Sequence, residues 1–405
     1  MLKIGRALNV KKINYDNNIY NIAYIIIVFK AFYAYSDLIE PIRMQLVLNA
    51  CSLMFALIMA YKMLFLQKYS EKKAIIFLLI GLLTLYTDRK TYMFMMLPNF
   101  FLIAATQEVD IKKTIRRMYR ISTAIIGLHV IAYPVIYFFN RSSLHFAKRG
   151  VSENDKVRHQ FLLSHPNIFS MLLLWTILGY IYVNYKKLDR KKIVGLWFIY
   201  VFFYMFTYSN SGLIILSAIT MLLLLKKTLG NMVDGIVLFL ARYLYSILGV
   251  FFIGMMVGFP KTQGISRVIW LAIDKFFTGR LKYGAYAYHV SGFTLFGKHI
   301  YFGPKELWEG FWVEGFACDN AYMWIAVSYG LFYFVLIAYL FWKYSKRAEF
   351  EEQIIFIAYA LYTSMELYVT YMYFCFAVIL VGKYLWEDYG KNRIVYRRKK
   401  ANTMG

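Results

Sequence analysis

Apolar stretches alternate with short polar turns along almost the whole chain. They cover residues 19–35, 42–63, 74–88, 91–107, 121–139, 166–183, 193–208, 211–225, 235–258, 318–342, 353–366 and 368–386. Runs of this kind, nearly free of acids and bases, predict membrane-spanning helices rather than the core of a water-soluble domain. The expected fold is therefore an all-α polytopic integral membrane protein of about twelve transmembrane helices, one domain over residues 1–405. Several stretches fall short of the roughly 20 residues that a straight helix needs to cross about 30 Å of hydrocarbon, notably those flanking Arg89, Ser209 and Glu366. Reading 353–385 as one long helix instead would carry the basic C-terminal segment across the membrane, against the charge bias.

With the N-terminal segment inside, the turns on that side hold about twice the lysine and arginine of the other side, which places both ends in the cytoplasm. Lys30, Lys62, Arg242 and Lys383 fall within spans or at their edges, where long side chains reach the interface. The first stretch contains Lys30 and no small-residue cleavage site, so it reads as an uncleaved anchor. Composition agrees with this picture: 60% of residues are hydrophobic and the mean hydropathy is +0.49. The net charge of +25 suits anionic head groups and calls for no nucleic acid. Three cysteines, Cys51 and Cys375 in spans and Cys318 at an outer boundary, form neither a disulfide framework nor a CxxC metal pair.

Two outward segments break the charge rule. Residues 140–165 carry Arg141, Lys148, Arg149, Lys156 and Arg158; residues 259–317, a large outer loop between the ninth and tenth spans, carry Lys261, Arg267, Lys275, Arg280, Lys282, Lys298 and Lys305. His145, His159, His165, His289 and His299 fall in the same two segments. Cations gathered on the exported side point to an anionic partner, with phosphate first because guanidinium binds its oxygens through paired hydrogen bonds. The plainer account is solvated loops touching lipid phosphates without specificity. Within 265–288, Ile265, Val268, Ile269, Ala272, Ile273 and Phe276 recur at helical spacing among Arg267, Asp274 and Lys275, the pattern of an interfacial amphipathic helix or a lid. It would end near Thr278-Gly279-Arg280 and present Arg280 and Lys282 at head-group depth.

Local signals mark the helix mouths. In RHQFLLSHPNIFSMLLLW, Pro166 suits the first turn of a helix, with His165 and Asn167 beside it; a histidine there is ordinarily a cap. Tyr208-Ser209-Asn210-Ser211-Gly212 makes an outer turn of ordinary turn residues. Cys318-Asp319-Asn320 opens the tenth span, where Asp319 is expected to cap the helix or, beside a cationic site, to deprotonate a sugar hydroxyl. Glu366, in the last outward turn, reads as a partnered structural acid. The acids of SDLIEP (Asp37, Glu40) and Glu153-Asn154-Asp155 lack the surroundings of a metal site, and no metal or cofactor is expected.

Taken in order, RHQFLLSHPNIFSMLLL, TYSNSGLIILSAITMLLLL, FFTGRLKYG followed by SGFTLFG, DNAYMWIAVSYGLFYF and MELYVTYMYF resemble the Wzy-type polysaccharide repeat-unit polymerases, relatives of the O-antigen ligases. The resemblance implies a glycosyltransferase of the GT-C superfamily that joins undecaprenyl-diphosphate-linked oligosaccharides on the outer face of a bacterial cytoplasmic membrane. It also implies a flippase and a chain-length regulator as partners. Carried over by position, Arg158 and Arg280 would hold the donor diphosphate and Asp319 would stand where related ligases place a histidine. His165, Asn167, Lys282, Arg89, Ser209, Asn210, Asn320 and Glu366 would line the substrate site. Asn210 departs from the basic residue many relatives carry in this turn, a contact Arg89 or Lys90 would have to supply. Two other functions fit a chain of this class. A lipid-linked oligosaccharide flippase would place charges deep in its spans and show related halves, whereas a ligase would differ only in its acceptor.

Overall fold

A computed structural model describes residues 2–38, 44–139, 147–148, 157–301, 306–313 and 318–386. In chain order the helices are α1 (Leu2–Tyr35), α2 (Met44–Tyr61), α3 (Glu71–Thr91), α4 (Met96–Ala104), α5 (Ile111–Phe139), α6 (Pro166–Asn184) and α7 (Arg190–Thr207). They continue with α8 (Asn210–Leu229), α9 (Asp234–Gly258), α10 (Gly264–Phe276), α11 (Arg280–Ser291), α12 (Ala321–Trp324), α13 (Leu331–Tyr344), α14 (Phe350–Thr363) and α15 (Ala377–Trp386). Two short antiparallel hairpins join them: β1 (Ala147–Lys148) with β2 (Val157–Arg158), and β3 (Glu306–Trp308) with β4 (Phe311–Val313).

The chain is an all-α, membrane-embedded protein. Among the described residues, five helical stretches are long and apolar enough to cross a bilayer: Tyr15–Tyr35, Met44–Leu66, Ile111–Phe139, Pro166–Lys187 and Asn210–Lys261, the last bending at Gly230 between α8 and α9. Shorter apolar helices lie at Leu331–Tyr344 and Ala377–Trp386. Three expected spans take a different form. The stretch 91–107 is helical only over Met96–Ala104, because buried Asp88 near the end of α3 accepts from the backbone N–H groups of Met95, Met96 and Leu97 and starts a new helix there. The stretch 318–342 is broken: α12 passes through a π-helical turn, Ile325–Tyr329, and ends at Gly330 (φ 102°) before α13 begins. After α14 the chain makes a single 3-10 turn, Leu367–Thr370, and helix returns only at Ala377.

The chain divides into two compact units: residues 1–77, 98–185 and 372–405, and residues 78–97 and 186–371. In the first, α6 is buried almost all round, which its uniformly apolar sequence allows. Trp175 meets Phe376 edge-on, Phe32 meets Phe374, and the Tyr24 hydroxyl donates to the Tyr373 carbonyl at 2.6 Å. At one end of these helices the loop before α6 is stitched to α1: Asp37 N–H donates to Leu162 O and Ser164 N–H to Tyr35 O.

In the second unit, α9 packs against α13, α14 and α11, with Tyr245 ringed by Tyr322, Phe334, Phe341 and Tyr359. Between apolar helices in lipid such close aromatic packing replaces the hydrophobic drive available in water. The break at Gly330 lies against the strand-like segment after α11. There Lys298 N–H donates to Ser328 O, Leu331 N–H to Thr294 O and Phe332 N–H to Leu295 O. A Cβ on Gly330 would stand 2.4 Å from Leu295 O, and one on Gly297 would stand 2.3 Å from Ser328 O. The two backbones therefore meet with no room for side chains.

Candidate functional site

A charged cluster in the second unit is built around the N-terminus of α11. Helix α10 stops at Phe276, and Thr278 (φ 56°) and Gly279 (φ 82°) turn the chain left-handedly into α11. Buried Asp274 makes the junction: its backbone carbonyl accepts from Gly279 N–H, and its Oδ1 accepts from Leu281 N–H at 2.9 Å and Lys282 N–H at 3.1 Å. Burial raises the Asp274 carboxyl above the usual carboxylate range, and the two backbone donors and Lys282 pull the other way. Asp274 thus fixes the first residue of α11, which is Arg280.

The Arg280 guanidinium is held on several sides. Its Nη2 donates to Glu366 Oε1 at 2.8 Å and lies 3.4 Å from Ser211 Oγ; its Nη1 donates to the Phe277 carbonyl and to Thr278 Oγ1. Ser211 Oγ also donates to Glu366 Oε1, at 2.6 Å. The remaining edge, Nε, faces Asp319 Oδ2 at 3.7 Å and makes no hydrogen bond among the described residues. The two acids differ in setting: the Glu366 side chain is 2% exposed, Asp319 40%, and Arg280 between them 13%. Glu366 is the partnered acid its sequence position predicts.

Asp319 does not cap α12. The cap falls one residue later, on fully buried Asn320, whose side chain accepts from Met323 N–H at 3.1 Å and donates to Ser364 O at 2.9 Å. That shift leaves the Asp319 carboxylate beside Arg280. Ser211, passed over as a turn residue, is the member that sequence reasoning missed; its only prior mark was its place in the Ser209-Asn210-Ser211 turn. Ser209 is buried at the N-cap of α8 without a side-chain capping bond, and Asn210 accepts from the Tyr204 hydroxyl at 3.0 Å. Lys282 Nζ lies over the rings of Tyr283 and Phe311, each 5.2 Å away, and Arg89 is exposed in the last turn of α3.

The first unit holds the other predicted residues. Arg158, on β2, donates through Nη2 to Asn167 Oδ1 at 2.6 Å. His165 is the N-cap of α6, with Pro166 in the first turn as predicted, and its Nδ1 accepts from Asn167 N–H at 3.1 Å. Burial, helped by the positive charge of Arg158, pushes the His165 imidazole down to about 4 and keeps it neutral at physiological pH. Its neighbour His159 is hydrogen-bonded to the Tyr133 hydroxyl, and burial lowers it as well.

Arg141, Arg149, Lys156, Lys305, His145 and the Glu153-Asn154-Asp155 triplet lie outside the described residues. Helix α10 has the predicted amphipathic form, with Ile265, Val268, Ile269 and Phe276 exposed and Trp270 and Asp274 buried, and it ends at Phe276, just before the expected Thr278-Gly279-Arg280. Among the described residues no group of three or more histidine, cysteine or acidic side chains is arranged to hold a metal ion. Chemically, the second unit offers a fixed guanidinium beside a half-exposed carboxylate, an arrangement suited to holding an anion and taking a proton next to it. No family model, curated protein or solved structure matches the chain.

Proposed function

We propose that this protein is a GT-C-like membrane polymerase of about twelve spans. It would join undecaprenyl-diphosphate-linked oligosaccharide repeat units on the outer face of a bacterial cytoplasmic membrane, with both chain ends cytoplasmic. The observation that carries the reading is the Asp319–Arg280–Glu366 arrangement: a half-exposed acid 3.7 Å from a guanidinium that a buried acid anchors. An acceptor hydroxyl gives its proton to Asp319 and attacks the donor anomeric carbon. The bond to the carrier diphosphate breaks, and the leaving oxygen takes the electron pair beside a fixed cation. In the first unit Arg158, held by Asn167 next to neutral His165, is by itself a guanidinium suited to binding phosphate. Diphosphate is a good leaving group, so the protein contributes mainly placement and electrostatics, and both substrates arrive on lipid.

The reading is tested with the purified protein in lipid nanodiscs, supplied with synthetic lipid-diphosphate repeat units. A ladder of extended products is expected, and Asp319→Asn is expected to slow it by roughly 100-fold or more, the usual scale for losing a general base. Transfer of the glycan to a non-lipid acceptor would make the protein a ligase. Movement of substrate across the membrane without new glycosidic bonds would make it a flippase.

A further inference from the structure

Arg280 has two acidic neighbours, and they are not equivalent. Glu366 is almost completely buried, lies 2.8 Å from Nη2 and is bonded at the same oxygen by Ser211. Asp319 is 40% exposed and stands 3.7 Å from Nε, at ion-pair range and beyond hydrogen-bond range. A buried pair of the first kind is costly to open because a bare charge stays behind in a dry site, whereas in the second the 40% exposed Asp319 carboxylate can be taken up by water. The Nε atom is buried and has no hydrogen bond among the described residues, so an oxygen anion that takes the place of Asp319 there gains a donor.

Building on the polymerase reading, we propose that Glu366 is the permanent counter-ion that positions Arg280 and Asp319 the exchangeable one, released when the carrier diphosphate reaches the Nε edge. Release does two things at once. The guanidinium turns its charge from Asp319 to phosphate, and the Asp319 carboxylate loses its neighbouring cation and becomes the stronger base. Proton removal from the acceptor is thereby tied to the presence of the donor, and an empty site holds its base in check. Glu366 is a positioning residue in this scheme, acting through Arg280, and Ser211 keeps its carboxylate aligned.

The test uses the full chain in nanodiscs of zwitterionic lipid, with inorganic diphosphate as the probe and thermal unfolding and isothermal titration as readouts. Asp319→Asn should leave the midpoint of unfolding unchanged and tighten diphosphate binding roughly fivefold, the effect of removing one unit of negative charge about 4 Å away in a water-like medium. Glu366→Gln should lower the midpoint, with Glu366→Asp intermediate. A merely structural Asp319 would not raise anion affinity on mutation, so unchanged or weaker binding by Asp319→Asn overturns the exchange. Equal midpoints for the Asn and Gln variants overturn the division of roles. The proposal also falls if phosphatidylglycerol in the nanodisc abolishes the Asp319 effect and diphosphate adds nothing, since head groups would then be the occupants. Absence of a product ladder together with the expected tightening removes the polymerase reading and leaves the exchange standing; a ladder without tightening does the reverse.

Discussion

At the scale of single residues, the chemistry of the site depends on which neighbour each charged group is given. Asp319 and Asn320 are adjacent in sequence, yet one faces a cation and the other is spent on a helix end, because the cap settles on the residue whose side chain can both accept from Met323 N–H and donate to Ser364 O. A carboxylate has no donor for the second bond. Sequence reasoning singled out Asp319 and Glu366 from their places at the ends of apolar stretches and Arg280 from the basic 259–317 segment and the family resemblance. The bond between Ser211 and Glu366 joins residues 155 apart, and no local pattern encodes it. His165 gives a prediction at this scale. Its folded value near 4 lies below the ordinary histidine value of 6.5, so the neutral ring favours the fold: that contribution is complete above about pH 6.5 and declines as the pH falls toward 4. Wild-type protein should therefore lose thermal stability across this interval, and His165→Asn, which caps without titrating, should flatten the loss. Identical pH profiles for the two proteins would show that the imidazole does not titrate against the fold.

At the scale of elements, long helices were legible because apolar runs of their length leave few alternatives. Their interruptions were not, because tertiary partners create them. The sequence 318–342 reads as one apolar span, yet it turns π-helical and stops at Gly330 where another segment's carbonyl groups press against it. The amphipathic character of α10 and its end near Thr278-Gly279 were readable from the sequence, whereas the fold-back of Asp274 onto the N–H groups of Leu281 and Lys282 was not. Gly330→Ala tests the break directly. An added methyl meets Leu295 O at 2.4 Å at a left-handed φ, so a loss of several kcal/mol is expected, against a small change for Gly254→Ala, where the same methyl has nothing within 4 Å. Similar unfolding midpoints for the two variants would mean that the seam yields easily.

At the scale of the whole molecule, the arrangement of charge carries the functional reading. The membrane setting follows from the apolar helices, and the polymerase reading requires the basic segments to face outward. Single cysteines placed at the exposed positions Lys275 and His289 in a chain with Cys51, Cys318 and Cys375 replaced should react with a membrane-impermeant maleimide from outside intact cells. Reaction only after the membrane is opened would put the Arg280 cluster on the cytoplasmic side, away from exported glycans. The packing around α6 and that around α9 lie in different compact units, and each unit holds one group of the predicted residues.

The backbone seam at Gly297 and Gly330 has one further consequence. Because Ser328 and Leu331 are pinned to the chain leaving α11, the short helical rod that begins just after Asp319 is riveted at its far end to the element that Arg280 begins. The acid and its cation are thus mounted on one frame, and a drift that carried one off would drag the other along.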